Sequence, residues 1–296
     1  MIALRRAESD ADLEAWRRVR AAVVPNERAP SVEELRRMDA PDRLLLLAEL
    51  HGEVAGSGVA SRSDMAGLGS LAPRVLPGAR RRGVGAALLE ALAAHLAALG
   101  FSESNATVED GGSLAFAERF GFREVDRQVE QVRVVTRKEA EPCVPDGVGL
   151  VSLAERPDLS RAMYEQVALE ALADIPVSPP LEVSLEDWER EWTSLPEGTF
   201  LALVGGEAVG CAGLQRDDDR PDRAEHSLTA VRRDWRWRGV AKALKQATIV
   251  WAAGSGIREL YTWTQRGNEA MQRLNERLGY VVRSRCTTVR GRVPLR

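Results

Sequence analysis

"VLPGARRRGVGAALLEAL" (75–92) and "VRRDWRWRGVAKALKQAT" (231–248) are two versions of one passage. Arg80 and Arg236 lie 156 positions apart, and so do Gly83 and Gly239. Each passage runs through a cluster of arginines into an apolar stripe at helical spacing. The stripe is Val84, Leu88, Leu92 and Leu96 in the first, and Val240, Leu244, Ala247 and Trp251 in the second.

The repetition extends to both sides. Upstream, "RLLLLAELHGEVAGSGVA" (43–60) and "TFLALVGGEAVGCAGLQ" (199–215) each read as two strands joined at a tight glycine turn. Gly52 and Gly206 are 154 positions apart, as are Gly56 and Gly210. Downstream, "FAERFGF" (116–122) matches "LNERLGY" (274–280), with Gly121 and Gly279 158 apart. Three blocks in one order at nearly one spacing indicate two copies of a domain, and the period is too long for a solenoid. A chain of 296 residues, 44% hydrophobic, has enough apolar surface for two cores. The run "RKEAEPCVPDGVG" (137–149) is charged and broken by Pro142, Pro145, Gly147 and Gly149, which interrupt helix and ladder alike. The expected division is residues 1–138, a linker at 139–149, and residues 150–296.

Each copy has the same coarse order. A short strand comes first, then helices: "SDADLEAWRRVR" (9–20), which Ser9 caps, and its counterpart "LSRAMYEQVALEAL" (159–172). Two hairpin strands follow, then a third strand that enters the arginine loop. A helix ends at Gly100 or Gly254, and a further strand and a short helix close the copy. Helices alternating with strands and local hairpins predict an α/β fold: two tandem mixed domains, each a mostly antiparallel central sheet flanked by helices. Pro73 fits poorly within a central strand.

The bulk numbers narrow the function. The formal net charge is −3, whereas nucleic-acid-binding domains are usually basic throughout, so the arginines of 232–238 must be balanced locally. No segment has the roughly 18 uncharged apolar residues of a membrane span. The start "MIALRRAESD" does not read as a signal peptide, and a cytoplasmic location is expected. Cys143, Cys211 and Cys286 are odd in number and far apart, like His51, His95 and His226, so neither a disulfide framework nor a metal is expected.

Both arginine turns lie between a strand and a helix start. A helix start presents unpaired N–H groups and a positive dipole end, and so binds anions. Gly83, Gly85 and Ala86 in one copy, Gly239 and Ala241 in the other, let a phosphate approach the backbone. The arginines add charge and bidentate hydrogen bonds. The sequence G-x-x-x-x-G-K-[ST] is absent, which excludes a Walker-type nucleotide site. "GVGAAL" lacks the third glycine of the dinucleotide fingerprint and follows a hairpin, which argues against a Rossmann enzyme.

The pattern resembles the pyrophosphate loop of the GNAT acetyltransferase superfamily, in which a strand ending V-x-P leads through Q/R-x-x-G-x-G/A into a helix. "VLPGARRRGVG" matches throughout; "VRRDWRWRGVA" lacks the proline but keeps Arg236, Gly239 and Ala241. With "DIP" (174–176), "TAV" (229–231) and "TWTQRGNEAMQRLNERLGY" (262–280), the second copy is similar to the tandem-domain bacterial branch that includes mycothiol synthase. The resemblance implies an acyl-CoA donor, acetyl-CoA first, and a small-molecule or peptide amine as acceptor. It implies that the backbone of Arg236, Trp237, Arg238, Gly239, Val240 and Ala241 cradles the pyrophosphate, with Arg232 and Arg233 beside it. It gives the amide of Val231 the thioester carbonyl and its oxyanion. The first-copy equivalents are Val75 and Arg80, Arg81, Arg82, Gly83, Val84, Gly85 and Ala86.

Many members of that superfamily place a tyrosine four residues before the late glycine, to protonate the leaving thiolate. Here those positions hold Ala117 and Asn275. Alanine supplies nothing. Asparagine donates a hydrogen bond but gives up no proton, and a thiol of pKa near 8.5 is a tolerable leaving group by itself. Glu225 or His226, at the strand leading to Val231, are candidates for the base; the competing readings are a solvated glutamate and a half-buried histidine. The first copy has "GLGSLAPRV" there, with no acid or histidine, so the second copy is expected to be the catalytic one. Asn268 reads as a helix cap or a cofactor contact. Trp235 and Trp237 either stack on adenine or pack between loop and sheet. Glu170, Asp174, Trp188 and Trp192 fall in the helical part that covers the acceptor, where the acids either suit a cationic amine or lie on a solvated face. Three functions compete: an N-acetyltransferase, an acyl-CoA sensor without turnover, and nucleic-acid binding through 232–238. Two fused copies supply internally the pairing that single-domain relatives obtain by dimerising, so a monomer is expected.

Overall fold

The computed structural model describes residues 1–217 and 220–295. Contacts divide the chain into two compact units: Met1–Arg127 with Cys286–Arg296, and Gln128–Arg285.

The first unit runs β1 (Ile2–Arg6), α1 (Asp10–Val23), α2 (Val32–Arg37), β2 (Leu44–Leu50), β3 (Glu53–Arg62), β4 (Gly69–Val75), α3 (Val84–Ala98), β5 (Glu103–Val108) and α4 (Gly111–Arg119). β6 (Arg123–Val134) leaves it and continues into the second unit. The second unit then runs β7 (Gly149–Ser152), α5 (Ser160–Met163), a π turn at Tyr164–Ala168 and α6 (Leu169–Asp174). α7 (Leu185–Asp187) passes into a second π turn at Trp188–Trp192. Then come β8 (Phe200–Val204), β9 (Glu207–Arg216), β10 (Arg223–Val231), α8 (Val240–Gly254), β11 (Glu259–Gln265) and α9 (Glu269–Arg277). β12 (Val281–Arg292) returns to the first unit.

In the first unit the strands lie in the order β1-β2-β3-β4-β5, and the end of β12 pairs antiparallel with β5, from Thr287↔Val108 to Arg292↔Glu103. In the second the order is β7-β8-β9-β10-β11, and β6 pairs antiparallel with β11, from Glu259↔Val134 to Gln265↔Gln128. Each unit's sheet is thus completed by a strand from the other half of the sequence. Within these two series the parallel contacts are β4 with β5 and β10 with β11, and both are short.

Local chemistry accounts for the elements. Ser9 and Asp12 form a reciprocal capping box at α1. α3 ends in a Schellman turn, with Gly100 at φ 91° and the Phe101 amide on Leu96 O. α8 repeats it two residues later than the Gly254 stop expected from sequence. Gly254 is its last helical residue, and Gly256 takes the left-handed position, with the Ile257 amide on Ala252 O. In the first unit Val84, Leu88, Leu92 and Leu96 are all buried against the sheet, and in the second Val240, Leu244 and Ala247 are. Gly56 and Gly210 make this contact possible. A Cβ at Gly56 would lie 3.1 Å from Leu88 and 3.2 Å from Val84, and at Gly210 3.0 Å from Leu244 and 3.1 Å from Val240. Pro73 does lie inside β4, opposite Gly58 of β3. Its missing N–H costs nothing on the other side, because β4 leaves β5 after Ser70↔Asn105.

Candidate functional site

The site in the second unit begins where two parallel strands part. β10 and β11 pair only at Arg223↔Glu259, Ala224↔Leu260 and Glu225↔Tyr261. Beyond that, a bulge between His226 and Leu228 turns β10, which stays on β9, while β11 stays on β6. A wedge opens along residues 226–231. The Arg232 amide bonds back to Val209 O at 3.0 Å, and strand amides alternate in direction, so the Val231 amide faces the wedge. The first unit repeats this, with Leu76 N on Ala55 O at 3.0 Å and Val75 turned the other way.

Past each strand the backbone takes one path. A 3₁₀ turn (Pro77–Ala79, Arg233–Trp235) leads to an extended arginine with ψ 157°, Arg80 or Arg236. Arg81 and Trp237 follow in the left-handed region, at φ 61° and 65°. Gly83 and Gly239 cap the helices at φ 88° and 90°, with no side chain on the first-turn amides. A non-glycine residue in this region costs about 1–2 kcal/mol, and that cost recurs at the same place in both copies. The first turns of α3 and α8 therefore present open amides at a glycine corner, an arrangement suited to an anion.

The arginines do more than offer charge. Arg80 and Arg236 each staple the corner to the strand behind it, Nε donating to Val75 O and Val231 O at 3.3 and 3.0 Å. In the second unit Arg232, Arg233 and Arg236 are also paired with acids. Arg232 pairs with Glu207 and Asp234. Arg233 and Arg236 pair with Asp174, and Glu170 accepts the Arg233 amide at 2.6 Å. Those pairs hold the Asp174 carboxyl down at about 2. Glu170 and Asp174 thus engage the loop, a role outside both readings made from sequence. Among the described residues Arg80, Arg81 and Arg82 form no ion pair of this kind in the first unit. Arg238 lies over Trp235, 4.7 Å from its ring centroid, and Trp235 packs against the α8 core. Trp237 is 90% exposed and free to receive a planar group.

The two faces of the sheet differ at the wedge. On the face away from α8, Glu225 sits beside Gln215, whose amide bonds the Glu191 carbonyl in the Trp188–Trp192 turn. That turn stacks Trp188 on Trp192, 5.8 Å apart. Glu225 is half-buried and stands opposite Tyr261, the last pair before the strands separate. Burial, with the Glu225 charge adding to it, pushes the Tyr261 phenol well above its usual range. Deeper on this face, Arg223 and Glu130 are wholly buried as a pair at 3.1 Å, with Arg283, Glu259 and Ser284 around them. This network fixes β6 beside β11, and the sequence offered no signal for it.

On the α8 face His226 is buried, more deeply than the half-buried histidine of one sequence reading, and its Nε2 lies 2.5 Å from Tyr280 Oη. Burial, with Lys245 nearby, drives its pKa well down, so the ring is neutral. Asn275 is fully buried, and its Nδ2 donates to Gln131 Oε1 at 2.9 Å. Its first-unit equivalent Ala117 is buried too. Asn268 stands at the N-cap of α9 without a side-chain cap bond. His226 Nδ1, Thr229 Oγ1 and Asn275 Oδ1 are buried without hydrogen-bond partners. A pantetheine arm carries amides and suits such a polar wall. Corner, wedge and orphaned atoms together fit an acyl-CoA. Among the described residues no His, Cys, Asp or Glu cluster is arranged for a metal, and no helix is long and apolar enough to cross a membrane.

The acetyltransferase (GNAT) family model matches residues 8–122 and again 162–280, and the chain belongs to that family. It is 28% identical over 274 residues to the mycothiol acetyltransferase of Paenarthrobacter aurescens (strain TC1), covering 83% of this chain and 80% of that one. Among solved structures it superimposes on a GCN5-related N-acetyltransferase from Sphaerobacter thermophilus with TM-score 0.76 and 23% identity, over 100% of this chain and 97% of that one. It matches a tandem GNAT protein from the clavulanic acid biosynthesis pathway equally well, with TM-score 0.76 and 19% identity, over 99% and 98%. The tandem mixed α/β architecture expected from the repeat is therefore the observed fold, and acyl transfer is the activity class.

Proposed function

We propose that the chain transfers an acetyl group from acetyl-CoA to a primary amine of a small molecule or peptide, in the second unit. The observation that carries this is the wedge between β10 and β11, which opens at Glu225 and ends at an anion-binding corner. In this reading the amides of 237–241 hold the pyrophosphate, Val231 N–H receives the thioester carbonyl, and the thioester points between the two sheet faces. Glu225, half-buried and adjacent to the aromatic turn at 188–192, takes the amine's proton directly or through water. His226, neutral and tied to Tyr280, serves the wall of the wedge and not the base. The first unit has the corner but neither acid nor histidine along 69–75, and it holds a second CoA or acts as scaffold.

The test is thiol release from acetyl-CoA across a panel of amines, with the product identified by mass spectrometry. Stoichiometric thiol and acetylated amine support the reading. CoA binding without thiol release from any amine supports instead a sensor of acyl-CoA, which Asn275 and Ala117 at the acid position favour.

A further inference from the structure

Lys245 lies on the buried face of α8, 1% exposed, with no carboxylate partner among the described residues. Its ammonium sits 5.4 Å from the Tyr280 ring centroid, and the His226 imidazole lies within reach of its charge. His226 is the first residue of β10 past the last pair with β11, so this lysine overlooks the start of the wedge. The same face carries the buried Asn275 and the orphaned acceptor atoms of Thr229 and Asn275. A buried lysine with no counter-charge is a cost to the fold that packing alone does not require.

We propose that Lys245 donates the proton taken up by the leaving thiolate, standing in for the acid that Asn275 cannot supply. This rests on the acyl-transfer reading above. As the amine nitrogen bonds the acyl carbon, its proton passes to Glu225. The C–S bond breaks, its electron pair goes to sulfur, and sulfur takes a proton from the Lys245 ammonium. Lys245 then regains a proton from water and Glu225 loses one. The net change is thioester plus amine to amide plus thiol. Burial alone brings Lys245 down to about 7, so its proton is easily given to a thiolate of pKa near 8.5. The titratable and charged groups around it are few. His226 faces it from β10 and Tyr280 from beyond α9, with the Arg133–Glu139 pair acting on Tyr280 from the far side.

Lys245→Met tests the assignment in the full chain. Loss of an uncompensated buried charge predicts a higher Tm, while kcat for thiol release falls about 100-fold and KM for acetyl-CoA changes less than threefold. In the wild type kcat declines as pH rises through about 7, and that limb is absent in the variant. A lower Tm, with activity lost only in step with folding, overturns the proposal, as does an unchanged kcat. Loss of CoA binding in calorimetry also overturns it, because Lys245 would then hold the donor. If wild type itself releases no thiol, the acyl-transfer reading fails first.

Discussion

Arg80 and Arg236 make one and the same bond in the two copies, each through Nε to the carbonyl of the last residue of the preceding strand. An arginine that looks like a phosphate ligand in sequence is here a brace. Arg236→Ala should therefore loosen the corner as well as remove charge. We expect about tenfold weaker CoA binding to the second unit, roughly 1.4 kcal/mol, with Arg236→Lys no better because lysine has no Nε donor at that distance. Calorimetric titration of each variant checks this.

Glu170 and Asp174 hold the same loop from the opposite side, and as carboxylates they compete with a diphosphate for Arg233 and Arg236. The E170Q/D174N double variant should bind CoA three- to tenfold more tightly in the second unit and lose affinity more steeply with salt, since more of the charge is left for the ligand. Weaker binding would mean that the two acids position the loop.

Glu225 is the half-buried carboxylate at the mouth of the wedge. Glu225→Gln should lower kcat by about 100-fold or more, the usual contribution of a general base, with CoA affinity unchanged. Steady-state kinetics beside a binding titration separate the two effects. A loss confined to CoA affinity would remove Glu225 from the base role.

Lys245 also predicts a pH dependence of stability. Its folded pKa, about 7, lies below the ordinary lysine value of 10.5, so the unfolded chain binds more protons between those limits. Stability must then rise with pH from about 7 to 10.5, and the lysine's cost is fully present below about 7. Comparing the denaturation midpoints of wild type and Lys245→Met across that window isolates the term: the rise should shrink in the variant. Equal slopes would contradict it.

Because β6 completes the second sheet and the end of β12 the first, separate fragments 1–138 and 150–296 each lack a strand of their own unit. Neither should fold by itself, and mixing them should restore native circular dichroism. Two independently stable fragments would show the exchanged strands to be dispensable.

Much of this was legible because the chain repeats. Glycine spacing located the hairpins, corners and helix starts, and the same 156-residue offset links Gly100 to Gly256, the left-handed residue two places beyond the expected stop at Gly254. The exchange of β6 and β12 left no trace, because equivalent strands of two copies can trade places without altering either pattern. The burial of His226 and Lys245 was hidden as well. A bulge after His226 shifts the alternation of β10, and Lys245 interrupts a helix face otherwise free of charge. Nor does sequence spacing show that the acids of α6 close on a loop some 60 residues away.

Acyl-CoA held at the parting of β10 and β11 is the premise shared by the catalytic assignments. Calorimetric titration of the full chain with CoA measures it directly. The account predicts saturable heat from at least one site, sharply weakened by Gly239→Val, which forces a branched side chain into φ 90°. No heat at millimolar CoA, or binding indifferent to Gly239→Val in a folded variant, would contradict it.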